Sequence, residues 1–377
     1  MSSLEVLKIT LSNTKFWGTI IVAALVISLG YFLEKRHIMP DKWEKVIVKI
    51  TLFIGLPAMI LKNFMVDLDT QNFNNLLVLL IIGFLAYILL TLLGRLVFIK
   101  YQAKAQDALI MCAVCPSVLY FGFPMAEALA NSNQQEVLKQ ATNFFNIAFW
   151  FYLSWYSLYV YQRPHFATIQ SKQERRQLSR KIAKSLLKNP IMIALIGGLV
   201  LWLMQMIPGI KIIHVTDNGW NTISPGNYSV TRLDALIPGF NQAVTILGAL
   251  PTPLAWLSIG ILIARSPLLE ALKDKAAWLA SSFKMLIVPL VTVGLFVFFA
   301  WFGQITNLYE IPKIALIVSI LMMASPTATA MASYAILYQK EAQRSAKICT
   351  QTTFLALITM PFWAVITSLI GETNLFQ

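Results

Sequence analysis

Ten apolar runs, each close to the length of a membrane crossing, leave this chain little choice but helices in lipid: residues 16–33, 43–62, 75–99, 106–130, 139–162, 189–208, 239–264, 276–301, 312–338 and 347–370. At about 1.5 Å per residue, about twenty residues cross about 30 Å of hydrocarbon. Lipid offers the backbone no hydrogen bonds, so a spanning segment must satisfy its own, as a helix does. Hydrophobic residues at 57%, charged residues at 12% and a mean hydropathy of +0.67 exclude a water-soluble globule. The expected fold is an all-α polytopic membrane protein with ten transmembrane helices, here called spans 1 to 10.

The first run, from Phe16 to Leu33, is long enough to span and is followed by no small-residue cleavage site, so it reads as span 1 rather than a signal peptide. Cys112, Cys115 and Cys349 lie in apolar or helix-flanking sequence. They suggest packing residues rather than a disulfide framework or a metal cluster.

Of the thirty Lys and Arg, all but seven face one side of this arrangement; the seven are Lys8, Lys15, Lys62, Lys139, Lys211, Arg232 and Lys313. Positive charge favours the cytoplasmic side. Both termini are therefore expected outside and the basic segment 163–188 in the cytoplasm, against the anionic lipid of the cell membrane. That segment accounts for much of the net charge of +13 without any nucleic-acid partner.

Five spans precede that segment and five follow it, so 1–162 and 189–377 read as two five-helix repeats. A shift of 210 residues pairs Pro116 with Pro326, Thr142 with Thr352 and Phe144 with Phe354. An odd number of spans per repeat inverts one against the other. Carriers built this way place their site at the midplane, between interrupted helices.

The expected interruptions are in span 4, at CAVCPSVLYFGFPMAEA (112–128), and in span 9, at MMASPTATAMASYA (322–335), with Pro116, Pro124 and Pro326 as the breaking residues. A proline inside a helix frees a carbonyl and costs about 3 kcal/mol unless compensated. Such backbone survives at membrane depth only against protein or a water-filled cavity. The half-helices that restart beyond Pro116 and Pro326 present unpaired N–H groups and a positive dipole end, which suit an anion. Ser117, Val118 and Tyr120 lie at one restart, and Ser325, Thr327, Ala328 and Thr329 at the other. A carboxylate cradle of this kind needs no lysine.

Five stretches resemble the auxin-efflux-carrier family of membrane transporters, which includes plant auxin exporters and bacterial malate permeases. They are FGFP (121–124), NPIMIALIGG (189–198), LGALPTPLAWLSIGILIA (247–264), SPTATAM (325–331) and TQTTFLALITMPFW (350–363). The resemblance implies two inverted repeats, helices of spans 4 and 9 crossing at their prolines, elevator-like alternating access, and a small organic anion bound at the crossover. Asparagines that many members carry at two positions are Ser117 and Ala330 here.

Asn143 and Asn146 in span 5, and Gln351, Thr352 and Thr353 in span 10, occupy equivalent places in the repeats and are expected either to face the crossover or to stitch helices together. Lys284, about 12 Å into span 8, reads as a snorkelling cation that could also attract a dicarboxylate. Glu127 reads as interfacial. His37, His165 and His214 fall in separate loops, which speaks against an intramembrane enzyme. The turn residues of the segment 214–234 suggest an exposed polar loop or, as the alternative, an ordered lid.

The expected function is thus secondary transport of a small carboxylate, malate or a similar dicarboxylate, with no cofactor. Coupling to sodium or a proton, and a homodimer, are left open. The alternatives are a coupled carrier of an aromatic, auxin-like monocarboxylate and a receptor that binds without transporting.

Overall fold

The structure is a computed structural model that describes residues 8, 12–68, 73–162, 177, 180, 183, 184, 187–216, 223–265 and 273–376. Most of the basic segment 163–188 therefore lies outside the described residues.

The chain is mostly helical. α1 (Thr14–Lys35) is followed by α2 (Trp43–Ile50), which passes through a π turn (Thr51–Gly55) into α3 (Leu56–Phe64). α4 (Phe73–Val97), α5 (Ala103–Val114) and α6 (Phe123–Leu129) come next, with a π turn (Val118–Gly122) leading into α6. α7 (Gln135–Phe151) continues through a π turn (Tyr152–Ser157) into α8 (Leu158–Gln162). The second half holds α9 (Pro190–Leu203), the short α10 (Leu233–Leu236), α11 (Phe240–Ala249) and α12 (Pro251–Arg265). α13 (Lys275–Ser282) runs through a π turn (Phe283–Ile287) into α14 (Val288–Thr306), and α15 (Lys313–Ala324), α16 (Thr329–Leu337) and α17 (Ala342–Ile370) complete the chain.

Among the described residues, five helices are long and apolar enough to cross a membrane: Trp17–Lys35, Phe73–Val97, Phe240–Arg265, Lys275–Thr306 and Ala342–Ile370. Pro190–Met206 and Lys313–Ala324 are apolar but shorter. Residues 43–64 and 135–162 are each one continuous helical stretch with charged or polar residues near an end.

Three of the four π turns among the described residues follow a rule that the sequence hides. Pro57, Pro124 and Pro289 each stand two residues beyond a π turn, and in all three the intervening residue's N–H reaches back five residues, to Thr51, Val118 and Phe283. A proline has no N–H to give and its ring crowds the carbonyl four residues back. The wide turn absorbs one residue and moves that carbonyl aside. At Pro289 the released Met285 carbonyl accepts the Trp363 indole N–H at 2.9 Å. Pro124 therefore does not interrupt its helix, contrary to the reading from sequence; the chain is helical from Val118 to Leu129.

The all-helical expectation needs a second correction. β1 (Ile212–Val215) pairs antiparallel with β2 (Gly226–Ser229), Ile212 opposite Ser229 and Val215 opposite Gly226. Of the two readings of this segment, the ordered one fits the paired strands, although residues 217–222 lie outside the described residues. The hairpin is pinned by Arg232, which is 7% exposed and grips Asp234 at 2.9 and 2.8 Å and Asp67 at 2.5 Å.

The most extensive packing falls in two groups, which meet where α6 lies on both α1 and α15. α1 packs on α12, and α3 on α9 and α11. In the other group α4 packs on α7 and α14, α15 on α7, α14 and α17, and α13 on α17. Ion pairs bind within a group: Arg265 with Glu34 and Glu44, and Arg344 with Asp274.

α1 and α12 meet backbone to backbone. A Cβ on Gly260 would fall 2.1 Å from the Ile27 carbonyl oxygen, and one on Gly30 would fall 2.4 Å from that of Leu257. Small residues of this kind let membrane helices approach closely. Gly260→Ala is expected to destabilise the protein by about 1–3 kcal/mol through overpacking. Thermal unfolding in detergent reads the effect, with Gly18→Ala as the control, since a Cβ there meets nothing within 4 Å.

Candidate functional site

α5 and α15 both stop at a residue that precedes a proline. Cys115 (φ −80, ψ 110) and Ser325 (φ −65, ψ 158) are extended, as the crowding of a following proline ring favours. Helix resumes at Val118 after the first stop and at Thr329 after the second.

The two non-helical segments lie against each other as an isolated antiparallel bridge, Pro116 opposite Thr327. Ser117 N–H donates to the Pro326 carbonyl at 2.7 Å, and Ala328 N–H donates to the Cys115 carbonyl at 3.0 Å. Gly122 makes the approach feasible, because a Cβ there would fall 2.4 Å from Met322 Cα.

Each carbonyl freed by a proline finds a donor. The Cys112 carbonyl, four residues before Pro116, accepts the Thr327 hydroxyl at 2.7 Å. The Met322 carbonyl, four before Pro326, accepts the Ser325 hydroxyl at 2.6 Å. The next one, at Met323, accepts the Lys284 ammonium at 3.0 Å. Thr327 N–H is held in turn by the Thr352 hydroxyl at 3.1 Å.

Lys284 is 0% exposed. It does not snorkel: its chain turns inward to the end of α15 and not along α13 to the surface. The signal available in the sequence was Ser281, one turn before it on the same helical face. Ser281 bonds Gln351 at 2.7 Å, so the pair marks the face that meets α17.

The residues singled out from sequence divide by what they touch. Ser117 and Val118 are buried at the crossing, and Ser117 Oγ has no hydrogen-bond partner among the described residues. Thr327 and Ala328 belong to the bridge itself, Ser325 caps its own helix, and Thr329 opens α16. Tyr120 lies in the π turn, but its side chain is outside the described residues. Asn146 Nδ2 meets Met322 Sδ at 3.4 Å, beside the crossing, while its Oδ1 has no partner among the described residues. Asn143 instead donates to the Asn63 carbonyl, tying α7 to the end of α3. The Thr353 hydroxyl donates to the Cys349 carbonyl, one turn back on its own helix, at 2.7 Å. Glu127 is exposed, and Cys112, Cys115 and Cys349 are buried free thiols.

The crossing gathers two helix starts, one buried ammonium and polar atoms without a described partner. The acidic side chains buried among the described residues, Glu44 and Asp234, are both ion-paired elsewhere. Helix starts and an ammonium favour negative charge.

No curated protein matches the sequence. Its apolar helices are those of a multi-pass membrane protein, and residues 16–364 match the membrane transport protein family, so the chain belongs to this auxin-efflux-carrier-like family of membrane transporters.

Proposed function

We propose that the protein carries small organic anions, with malate or a related dicarboxylate as substrate, by elevator-like alternating access in the cell membrane. The observation that carries this reading is the charge at the crossing: two helix starts and Lys284 are positive there, and no buried carboxylate of the described residues balances them. The Ser117 hydroxyl, which bonds no described residue, supplies a donor for a substrate carboxylate.

In this reading the chain makes ten spans in two inverted repeats, with both termini outside and residues 163–188 in the cytoplasm. The contacts of α1 with α12 and of α3 with α9 support it, because exchanging the repeats turns one into the other: span 1 on span 7 becomes span 6 on span 2. The two packing groups are the parts that slide. The group of α1, α3, α9, α11 and α12 stays fixed, and the other moves the crossing across the membrane. Moving one net negative charge through 100 mV is worth about 2.3 kcal/mol, enough to drive transport by the membrane potential.

An aromatic monocarboxylate is the second reading, favoured by Phe121 of the π turn lying edge-on to Trp256 of α12 at 6.0 Å. Uptake of radiolabelled malate into proteoliposomes under an imposed potential tests the proposal, and competition by indole-3-acetate separates the two substrates. Ser117→Ala should weaken apparent affinity about tenfold to a hundredfold, the loss of one hydrogen bond to a charged group at about 1.5–3 kcal/mol. Binding without flux would leave the receptor reading.

A further inference from the structure

We infer that Lys284 is a tethered cation that takes the place of a coupling metal ion at the carbonyl end of α15, so that the crossing works without sodium. The inference rests on the transporter reading for its consequence, but its structural half concerns the folded protein alone.

Where a span breaks at mid-membrane, the last carbonyls of its first half form a negative dipole end, and carriers use such ends to hold a free cation. α15 ends in this way at Ala324. Two of its last carbonyls are already engaged: Met322 by the Ser325 hydroxyl and Met323 by the Lys284 ammonium at 3.0 Å. Lys284 reaches them from the π turn Phe283–Ile287, the local widening that accommodates Pro289.

No carboxylate of the described residues pairs with Lys284, and no group of three or more His, Cys, Asp and Glu side chains among them could hold a metal ion. A lone buried ammonium is costly unless dipoles or an anion balance it. The carbonyl end supplies part of that balance and a bound carboxylate supplies the rest. A covalently attached cation has a high local concentration and does not dissociate between transport steps. It therefore fixes the positive charge at the crossing without drawing on an ion gradient.

The test is the cation dependence of thermal unfolding for the purified full chain, in sodium, methylammonium or N-methyl-D-glucamine chloride at equal ionic strength. The wild type should unfold at the same temperature in all three. In Lys284→Ala the vacated space should admit sodium or methylammonium and not the bulky N-methyl-D-glucamine. Its midpoint should then rise, with saturation, by roughly 2 °C at a concentration about fifteen times the dissociation constant. Lys284→Met, whose chain fills the same space without charge, should show no rise. A wild type stabilised by sodium, or a Lys284→Ala protein indifferent to both small cations, overturns the inference. If Lys284→Ala does not fold, the wild-type comparison decides alone. Malate flux is scored separately: flux that needs sodium defeats this inference and spares the transporter reading, whereas absent flux with the expected unfolding pattern does the reverse.

Discussion

Arg232→Ala should destabilise the protein by about 3–5 kcal/mol, the cost of stranding a buried charge whose partner has been removed. The stranded group is Asp234, 2% exposed, which Arg232 holds in a two-pronged grip at 2.9 and 2.8 Å. Asp67 adds little to the figure, since its side chain is 60% exposed and an exposed pair is worth about 0–1 kcal/mol. Its part is positional: with Gln205, which bonds the Val66 carbonyl and the Leu68 N–H at 3.2 Å each, it fastens the hairpin segment and α9 to the end of α3. Replacing Arg232 with Met and Asp234 with Leu together removes both charges and should recover most of the loss. Thermal unfolding of the three proteins in detergent decides the matter, and a double variant no better than Arg232→Ala would assign the effect to shape rather than charge.

That ion pair also shows where a sequence stops being informative. Arg232 counts in the sequence as one of seven positive charges on the outer side, a reading that needs only its position in a loop. It also bonds Asp67, 165 residues away, and nothing local announces that meeting. Lys284 is the same case inside the membrane, bonded to a carbonyl 39 residues on. Proline acts through adjacent backbone, so the extended conformations of Cys115 and Ser325 were legible from the residues that follow them. Pro124 misled, because its compensation is a π turn, which has no recognised residue signature. The apolar runs were legible because lipid selects on composition alone. That the breaks at Pro116 and Pro326 would meet was suggested by family resemblance and by the 210-residue shift, not by any property of either segment; the register, Pro116 opposite Thr327, was not legible.

The crossing itself is most exposed to test at Gly122. A Cβ added there would fall 2.4 Å from Met322 Cα and 3.0 Å from Met322 N, and neither is the movable end of a side chain. Gly122→Ala must therefore push the π turn off the end of α15. The bonds from Ser117 N–H to the Pro326 carbonyl and from Ala328 N–H to the Cys115 carbonyl would be drawn apart with it. Two backbone bonds at about 1 kcal/mol each and overpacking at about 1–3 kcal/mol predict a loss of about 3–5 kcal/mol. Gly294→Ala is the matched control, since a Cβ there meets nothing within 4 Å. Anion flux should vanish in Gly122→Ala, whereas Ser117→Ala should weaken affinity with little change in stability, because its hydroxyl bonds no described residue. A Gly122→Ala protein that unfolds at the wild-type temperature and carries anions at the wild-type rate would show that the backbones do not need this close approach, and the crossing would lose its standing as the site.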